Sequence, residues 1–334
     1  MLNLFQHLTK PEVTGILKQV QDDEGLNMRM GWDVGRLGRG TTICYTAHMK
    51  SGFVVLAGRS NVGKSTLLNA LIGSKITIVT SKPQTTRVPI RGILHDTRGQ
   101  IVFVDTPGVF LGKRDALSQK LNKSVRNTLE GIDAIVYVVD PTRLPGAEEE
   151  HIQRLLKAAK KPTFLVINKI DLTKQTSRSL EAYKKIDVDQ KATFLVSATK
   201  HTNLNRLVDA LFEVLPEGEK YYPDLQITDL GHQQWIEELI REKVFMALDK
   251  ELPYTVKVTV EDVKFRKNGG RFIEAIVWTT NERYKRMIIG AGAAMIKKIG
   301  MDARKELEVA LNTQVHLELE VKVDAKWPEK FNYV

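Results

Sequence analysis

The residues with most chemistry to offer lie in Gly58-Arg59-Ser60-Asn61-Val62-Gly63-Lys64-Ser65, a GxxxxGKS pattern between an apolar run at 53–57 and a helical stretch at 66–72. Glycines let successive backbone N–H groups curl around phosphate oxygens, and the helix N-terminus adds the positive end of its dipole. Lys64 would reach the β- and γ-phosphates, the Ser65 hydroxyl would ligate Mg2+, and Thr66 would continue the phosphate contacts into the helix. A nucleoside triphosphate is the expected ligand.

Three further loops extend this site. Asp105-Thr106-Pro107-Gly108 closes the apolar run at 101–104, where an aspartate can hold the metal through water and the Gly108 N–H can approach the γ-phosphate, with Val109 next in line. Alone, this would be read as an Asp-Pro-Gly turn; about forty residues after a phosphate loop it reads as the second metal-side loop. Asn168-Lys169-Ile170-Asp171 offers a carboxylate that accepts from guanine N1–H and from its exocyclic amine, an arrangement adenine cannot satisfy. Ser197-Ala198-Thr199-Lys200 would bring a backbone N–H near guanine O6. The expected ligands are therefore GTP and GDP.

Positioning four such loops takes a doubly wound sheet. Short apolar runs at 53–57, 101–104, 134–139, 163–167 and 193–196 alternate with helical spacing at 117–129, 148–159 and 204–215, the signature of βαβ units. A strand at 88–95 is expected as an antiparallel edge. Pro216, Gly218 and Pro223 mark a linker at 217–225. Beyond it the order changes to helix, two strands, helical material and a strand, an α+β domain over 226–330. The clearest strand alternates Val315, Leu317, Leu319, Val321 and Val323 against polar neighbours. Residues 1–48 have no such period, and are expected to be a poorly ordered extension ahead of a second start at Met49.

Composition narrows the classes. The 334 residues carry 50 Lys and Arg against 40 Asp and Glu, a net charge of +10 that favours polyanionic partners. Eleven basic residues between Lys264 and Lys305 face three acidic ones. The single cysteine, Cys44, excludes an internal disulfide framework, and no apolar stretch reaches the ~20 residues of a membrane span. A cytoplasmic setting is expected.

With these motifs in place, residues 51–216 resemble a TRAFAC-class P-loop GTPase, and the whole chain from 49 to about 330 resembles the Era-like GTPases. Lys82-Pro83-Gln84-Thr85-Thr86-Arg87 is similar to the switch I sequence of that family, and Glu251-Leu252-Pro253-Tyr254 to the opening of its second domain. The resemblance implies a type II KH domain after the GTPase domain, and a GTP-switched factor that binds small-subunit ribosomal RNA near its 3′ end during 30S subunit maturation. Peripheral association with the inner membrane face stays open as a further partner. An RNA-binding assembly module that uses GTP as a stabilising ligand is the alternative reading.

The same resemblance implies roles. Lys64, Thr86 and Gly108 would serve catalysis; Ser65, Thr86 and Asp105 would hold Mg2+, with Thr86 preferred to Thr85. Asn61 matches a position that helps bind K+ in related enzymes, although an asparagine also simply tolerates a tight turn. Val109 and Phe110 stand where Ras-like enzymes place a water-orienting glutamine, so hydrolysis should be slow. In the KH segment the clamp loop reads Gly290-Ala291-Gly292-Ala293, with alanine where the family has its second glycine and no lysine inside. Arg283, Lys285, Arg286, Lys297 and Lys298 bracket this loop as expected RNA contacts.

Overall fold

The computed structural model describes residues 49–82, 85–87, 89–107, 131–172, 177–266 and 269–330. The extension expected at 1–48, the helix expected at 117–129, Gly108 and Val109 lie outside the described residues.

Strands β1 (Lys50–Ala57), β2 (Ile90–Asp96), β3 (Gly99–Asp105), β4 (Ala134–Val139), β5 (Thr163–Ile167) and β6 (Gln190–Leu195) form one sheet in the order β2-β3-β1-β4-β5-β6. The β2 strand runs antiparallel to β3 and the other pairings are parallel. Residues along β1 show how the sheet is buried on both faces. Val54 and Leu56 join a core with Leu67 and Leu71 of α1 (Lys64–Ile72) and Leu207 and Leu211 of α4 (Leu204–Val214). Val55 and Ala57 join a second core with Ile152 and Leu156 of α2 (Ala147–Ala159). Helix α3 (Ser177–Lys184) was not legible as a separate element, because only Leu180 and the buried Tyr183 anchor it, too short a stripe to show a helical period.

The second lobe follows the expected order. Helix α5 (His232–Ala247) precedes β7 (Lys257–Phe265), β8 (Arg271–Thr279), α6 (Glu282–Ile289), α7 (Ala294–Leu311) and β9 (Val315–Val323), with a short α8 (Trp327–Lys330) after them. Strand β8 is central, antiparallel to β7 and parallel to β9. Ile273, Ala275 and Val277 turn inward onto Ile236, Ile240, Ile299 and Leu307. Ile78, from the segment after α1, is buried in this same core.

The segment expected as a linker is tied to the first sheet. Gly218 N–H donates to the Met49 carbonyl at 2.8 Å, and Tyr221 and Tyr222 N–H donate to Gln100 Oε1 at 2.9 and 3.0 Å. Further on, the Ile93 N–H donates to the Ile227 carbonyl at 2.9 Å. No described helix is long and apolar enough to cross a membrane.

Candidate functional site

The loop Gly58–Gly63 leaves β1 where the strand order turns from β3 on one side to β4 on the other, the usual position for a ligand crevice in such a sheet. Two glycines are obligatory. A Cβ on Gly58 would lie 2.4 Å from the Val138 carbonyl oxygen, and one on Gly63, at φ +97°, would lie 2.4 Å from Asn168 Nδ2. Asn61 also has a left-handed backbone, at φ 64°, as its short polar side chain permits. The loop opens onto a cavity of about 400 Å³ lined by Asn61, Gly63, Lys64, Ser65, Thr66 and Thr86 among others.

Behind the Ser65 and Thr86 wall of this cavity the first loop and the switch segment meet at one buried carboxylate. Ser65 Oγ donates to Asp105 Oδ2 at 2.6 Å, Thr86 Oγ1 donates to the same oxygen at 3.3 Å, and the two hydroxyls are 3.1 Å apart. Asp105 Oδ1 is buried without a hydrogen bond. Thr85 turns elsewhere, donating to the Lys82 carbonyl at 2.7 Å. Burial pushes the Asp105 carboxyl above its ordinary range and the Lys64 ammonium below its own, each shift partly offset by the other's charge. Lys64 Nζ donates to the Gly58 and Arg59 carbonyls at 3.2 and 3.1 Å. Thr106 donates to the Leu56 carbonyl at 2.9 Å and Pro107 is buried, so this loop is fixed up to the end of the described stretch.

The base side is cross-braced. Buried Asn168 donates to the Val62 carbonyl at 3.1 Å and accepts from Ala198 N–H at 3.1 Å, linking the loops after β1, β5 and β6. Lys169, at φ 61°, donates to the Asn61 carbonyl at 2.8 Å and pairs with Asp140 at 2.6 Å. Ile170 N–H donates to the Val196 carbonyl at 3.3 Å. Asp171 is exposed and accepts from Ser197 Oγ at 2.6 Å, and Ser197 Oγ in turn accepts from Lys200 N–H at 3.2 Å.

Two placements differ from a simple reading of the motif. Arg59 contributes its backbone to the loop, but its guanidinium pairs with Glu149 at 3.0 Å and Glu148 at 3.9 Å on α2. Asp140 belongs to none of the four motifs, yet it anchors Lys169 and accepts from Thr142 N–H at 2.9 Å. Its signal was present in the sequence as an acid directly after the apolar run 134–139.

In the second lobe, α6 is capped by Asn281, whose Oδ1 accepts from Tyr284 N–H at 2.9 Å, and ends at Gly290 with φ 75°. A Cβ there would meet Met295 Cβ at 2.8 Å, so this glycine is required by both conformation and space. Ala291–Ala293 forms a single 3-10 turn in which Gly292 and Ala293 are left-handed, at φ 54° and 63°. Arg283, Arg286, Lys297 and Lys298 are exposed on either side, Lys285 is half-buried, and no ion pair among the described residues holds any of them.

Comparison with known proteins agrees with both lobes. Residues 53–169 match the family model of a 50S ribosome-binding GTPase, and residues 251–328 match that of a KH domain. GTPase Era of Heliobacterium modesticaldum is 41% identical over 84% of this chain and 94% of its own length; that of Trichlorobacter lovleyi is 43% identical over 84% and 95%. The crystal structure of Era in complex with MgGDPNP and nucleotides 1506-1542 of 16S ribosomal RNA is 35% identical, with a TM-score of 0.79 over 85% of this chain and 96% of that one. A variant of Aquifex aeolicus Era bound to GDP and AlF4− matches at the same identity and TM-score over 84% and 96%. With both lobes matched by family models and the relatives covered over nearly their whole length, the chain belongs to the Era family of GTPases.

Proposed function

We propose that this GTPase binds the 3′ region of small-subunit ribosomal RNA through its KH lobe and uses bound GTP to time its part in 30S subunit assembly in the cytoplasm. The single observation that carries this is the joint placement of the Ser65–Thr86–Asp105 cluster and an RNA-type clamp loop in one chain, matching over its length a solved Era complex with MgGDPNP and 16S RNA. The 50S wording belongs to a model matched on residues 53–169 alone, whereas the 16S complex matches both lobes. As boundaries we take 49–216 for the GTPase domain, 217–225 for the connection and 226–330 for the KH domain.

The site fits Mg2+. Two hydroxyls converge on a carboxylate with one unpartnered buried oxygen, a hard oxygen donor set of the kind that this ion takes beside phosphates. When bound, Mg2+ would neutralise charge on the β- and γ-phosphate oxygens. Ser65 and Thr86 would hold it directly and Asp105 through water. Lys64 would leave its two backbone carbonyls for the phosphates, and Gly58 to Thr66 would line them with N–H groups. The Gly108 N–H would bind the γ-phosphate as water attacks it. Because Val109 offers no polar group, the attacking water is oriented by backbone alone and turnover is slow. Asn61 donates to the Ser81 carbonyl at 2.6 Å, which leaves its amide oxygen for K+. Asp171 would read the guanine N1–H and amine, with Ser197 and Ala198 at O6 and Lys169 and Lys200 flanking the base.

On the RNA side, the unpaired cations Arg283, Arg286, Lys297 and Lys298 would take phosphates, and Gly290 to Ala293 would pass close to the backbone. The test is the affinity of the full chain for a single-stranded fragment of the 16S 3′ end with GDP and with a non-hydrolysable GTP analogue. An affinity that differs between the two states supports a switch. Equal affinities would reduce GTP to a stabilising ligand, because a ligand with no differential affinity shifts nothing.

A further inference from the structure

The segment that carries Thr86 is gripped by the second lobe on both sides of that residue. Arg241, buried on α5, donates from Nη2 to the Thr85 carbonyl at 2.6 Å, and its Nε donates to Glu238 Oε1 at 2.8 Å. On the other side, buried Arg87 donates from Nη1 to the Val256 carbonyl at 2.7 Å and from Nη2 to the Tyr254 carbonyl at 3.3 Å. Both guanidiniums lie over the Phe245 ring, at 5.1 and 5.3 Å from its centroid. Earlier in the segment, Val79 N–H donates to Glu242 Oε1 at 2.9 Å, and Lys82 Nζ donates to the Phe245 carbonyl at 2.6 Å.

These contacts restrict one hydroxyl. The Thr85 carbonyl belongs to the planar peptide unit that carries the Thr86 N–H, so fixing that oxygen fixes the plane from which Thr86 starts. Anchoring the Arg87 guanidinium holds the chain close to the second lobe on the far side of Thr86. Between them, Thr86 has little freedom left, and its Oγ1 lies in the Ser65–Asp105 cluster. A free loop would have to lose that entropy when the γ-phosphate binds.

We propose that Arg241, together with Arg87, is a positioning residue of the GTP site: the RNA-binding lobe supplies the group that presents Thr86 to Mg2+ and the γ-phosphate. This rests on the reading of Thr86 as a ligand made only in the GTP state. GDP binding needs the phosphate loop and the base loops, none of which Arg241 touches, whereas the triphosphate complex also needs Thr86.

Fluorescent GDP and a fluorescent non-hydrolysable GTP analogue, titrated into the full chain at saturating Mg2+, test the assignment. Arg241→Ala should leave GDP affinity within about twofold and weaken the analogue about tenfold, the size expected for losing one buried charged hydrogen bond. Thr86→Ala should show the same pattern, and the double variant should lose no more than either single one, because the two changes remove one interaction. Arg241→Lys, which keeps one donor, should recover part of the analogue affinity. Equal losses for both nucleotides, no loss for either, or losses that add in the double variant would overturn the proposal. Should Arg241→Ala fail to fold, Arg241→Lys is read by the same criterion, an analogue-specific loss supporting the assignment and an even loss overturning it. A Thr86→Ala variant with unchanged analogue affinity would remove the reading of Thr86 itself. An effect of Thr86→Ala with none from either Arg241 variant would remove only the positioning role.

Discussion

Asp105 and Lys64 are both buried, and burial moves both toward their neutral forms, the carboxyl up and the ammonium down. A cation held by Ser65 directly and by Asp105 through water needs the Asp105 carboxylate charged, so protonation of that carboxyl competes with cation binding. Because the folded pKa of Asp105 lies above the ordinary 3.8, that competition sets in at a higher pH than for an exposed aspartate. Apparent Mg2+ affinity of the GDP complex should therefore fall as pH is lowered, beginning above the pH at which an exposed aspartate would matter, with a proton released on binding. Calorimetric titration in two buffers of different ionisation enthalpy measures both. Constant affinity and no proton release would contradict the shift. Without the cation, the sign for stability runs the opposite way: the raised carboxyl contributes fully below 3.8 and its contribution is lost as pH rises through the folded value.

At the scale of an element, the clamp loop shows what a backbone angle adds to a sequence motif. Ala293 stands at φ 63°, a conformation that costs a residue with a Cβ about 1 kcal/mol relative to glycine. Ala293→Gly should raise stability by about that amount and strengthen RNA binding, as thermal unfolding and a binding titration would register. Gly292→Lys has open space for its side chain but the same left-handed backbone, at φ 54°. It should cost about 1 kcal/mol of stability while steepening the salt dependence of RNA binding by about 0.7. A lysine variant with the parent's salt slope would show that RNA phosphate does not pass this point. Departure from the GxxG pattern was readable in the sequence; its strain was not, because the left-handed φ of Ala293 arises where the 3-10 turn meets the start of α7 and is not written in the residue type. Strands at 134–139 and 163–167 were legible to the residue, since both are apolar runs, Thr163 apart, and buried on both faces. The β6 strand was only half legible, as its burial alternates and Gln190 and Lys191 carry no apolar signal. Asp140, Arg241 and the partner of Arg87 escaped sequence reasoning for a common reason. Each acts through a contact with a residue at least 29 positions away, as in the pairs Asp140–Lys169 and Thr85–Arg241.

Taken as a whole, the molecule has two sheets but shared cores. Ile78 belongs by sequence to the first lobe and by packing to the second, and Glu242, accepting from Val79 N–H and pairing with Lys75 at 2.7 Å, reinforces the same seam. The parent chain should therefore unfold in one calorimetric transition. Ile78→Asp places an unpaired carboxylate in the second core and should split it into two, with GDP binding surviving the first. One transition at a lower temperature would mean that the lobes stay coupled without Ile78. The stretch that leads from the connection into α5 has a protective consequence as well. Its backbone occupies the outer side of β2, through the Ile93 N–H to Ile227 bond and the pairing of Gly92 with Thr228. A β2 stripped of this cover would present a row of unsatisfied amides and carbonyls, a template onto which a strand of another copy could add. Damage to residues 226–229, by proteolytic nicking or by an inserted proline, would thus appear first as self-association of an otherwise nucleotide-competent protein.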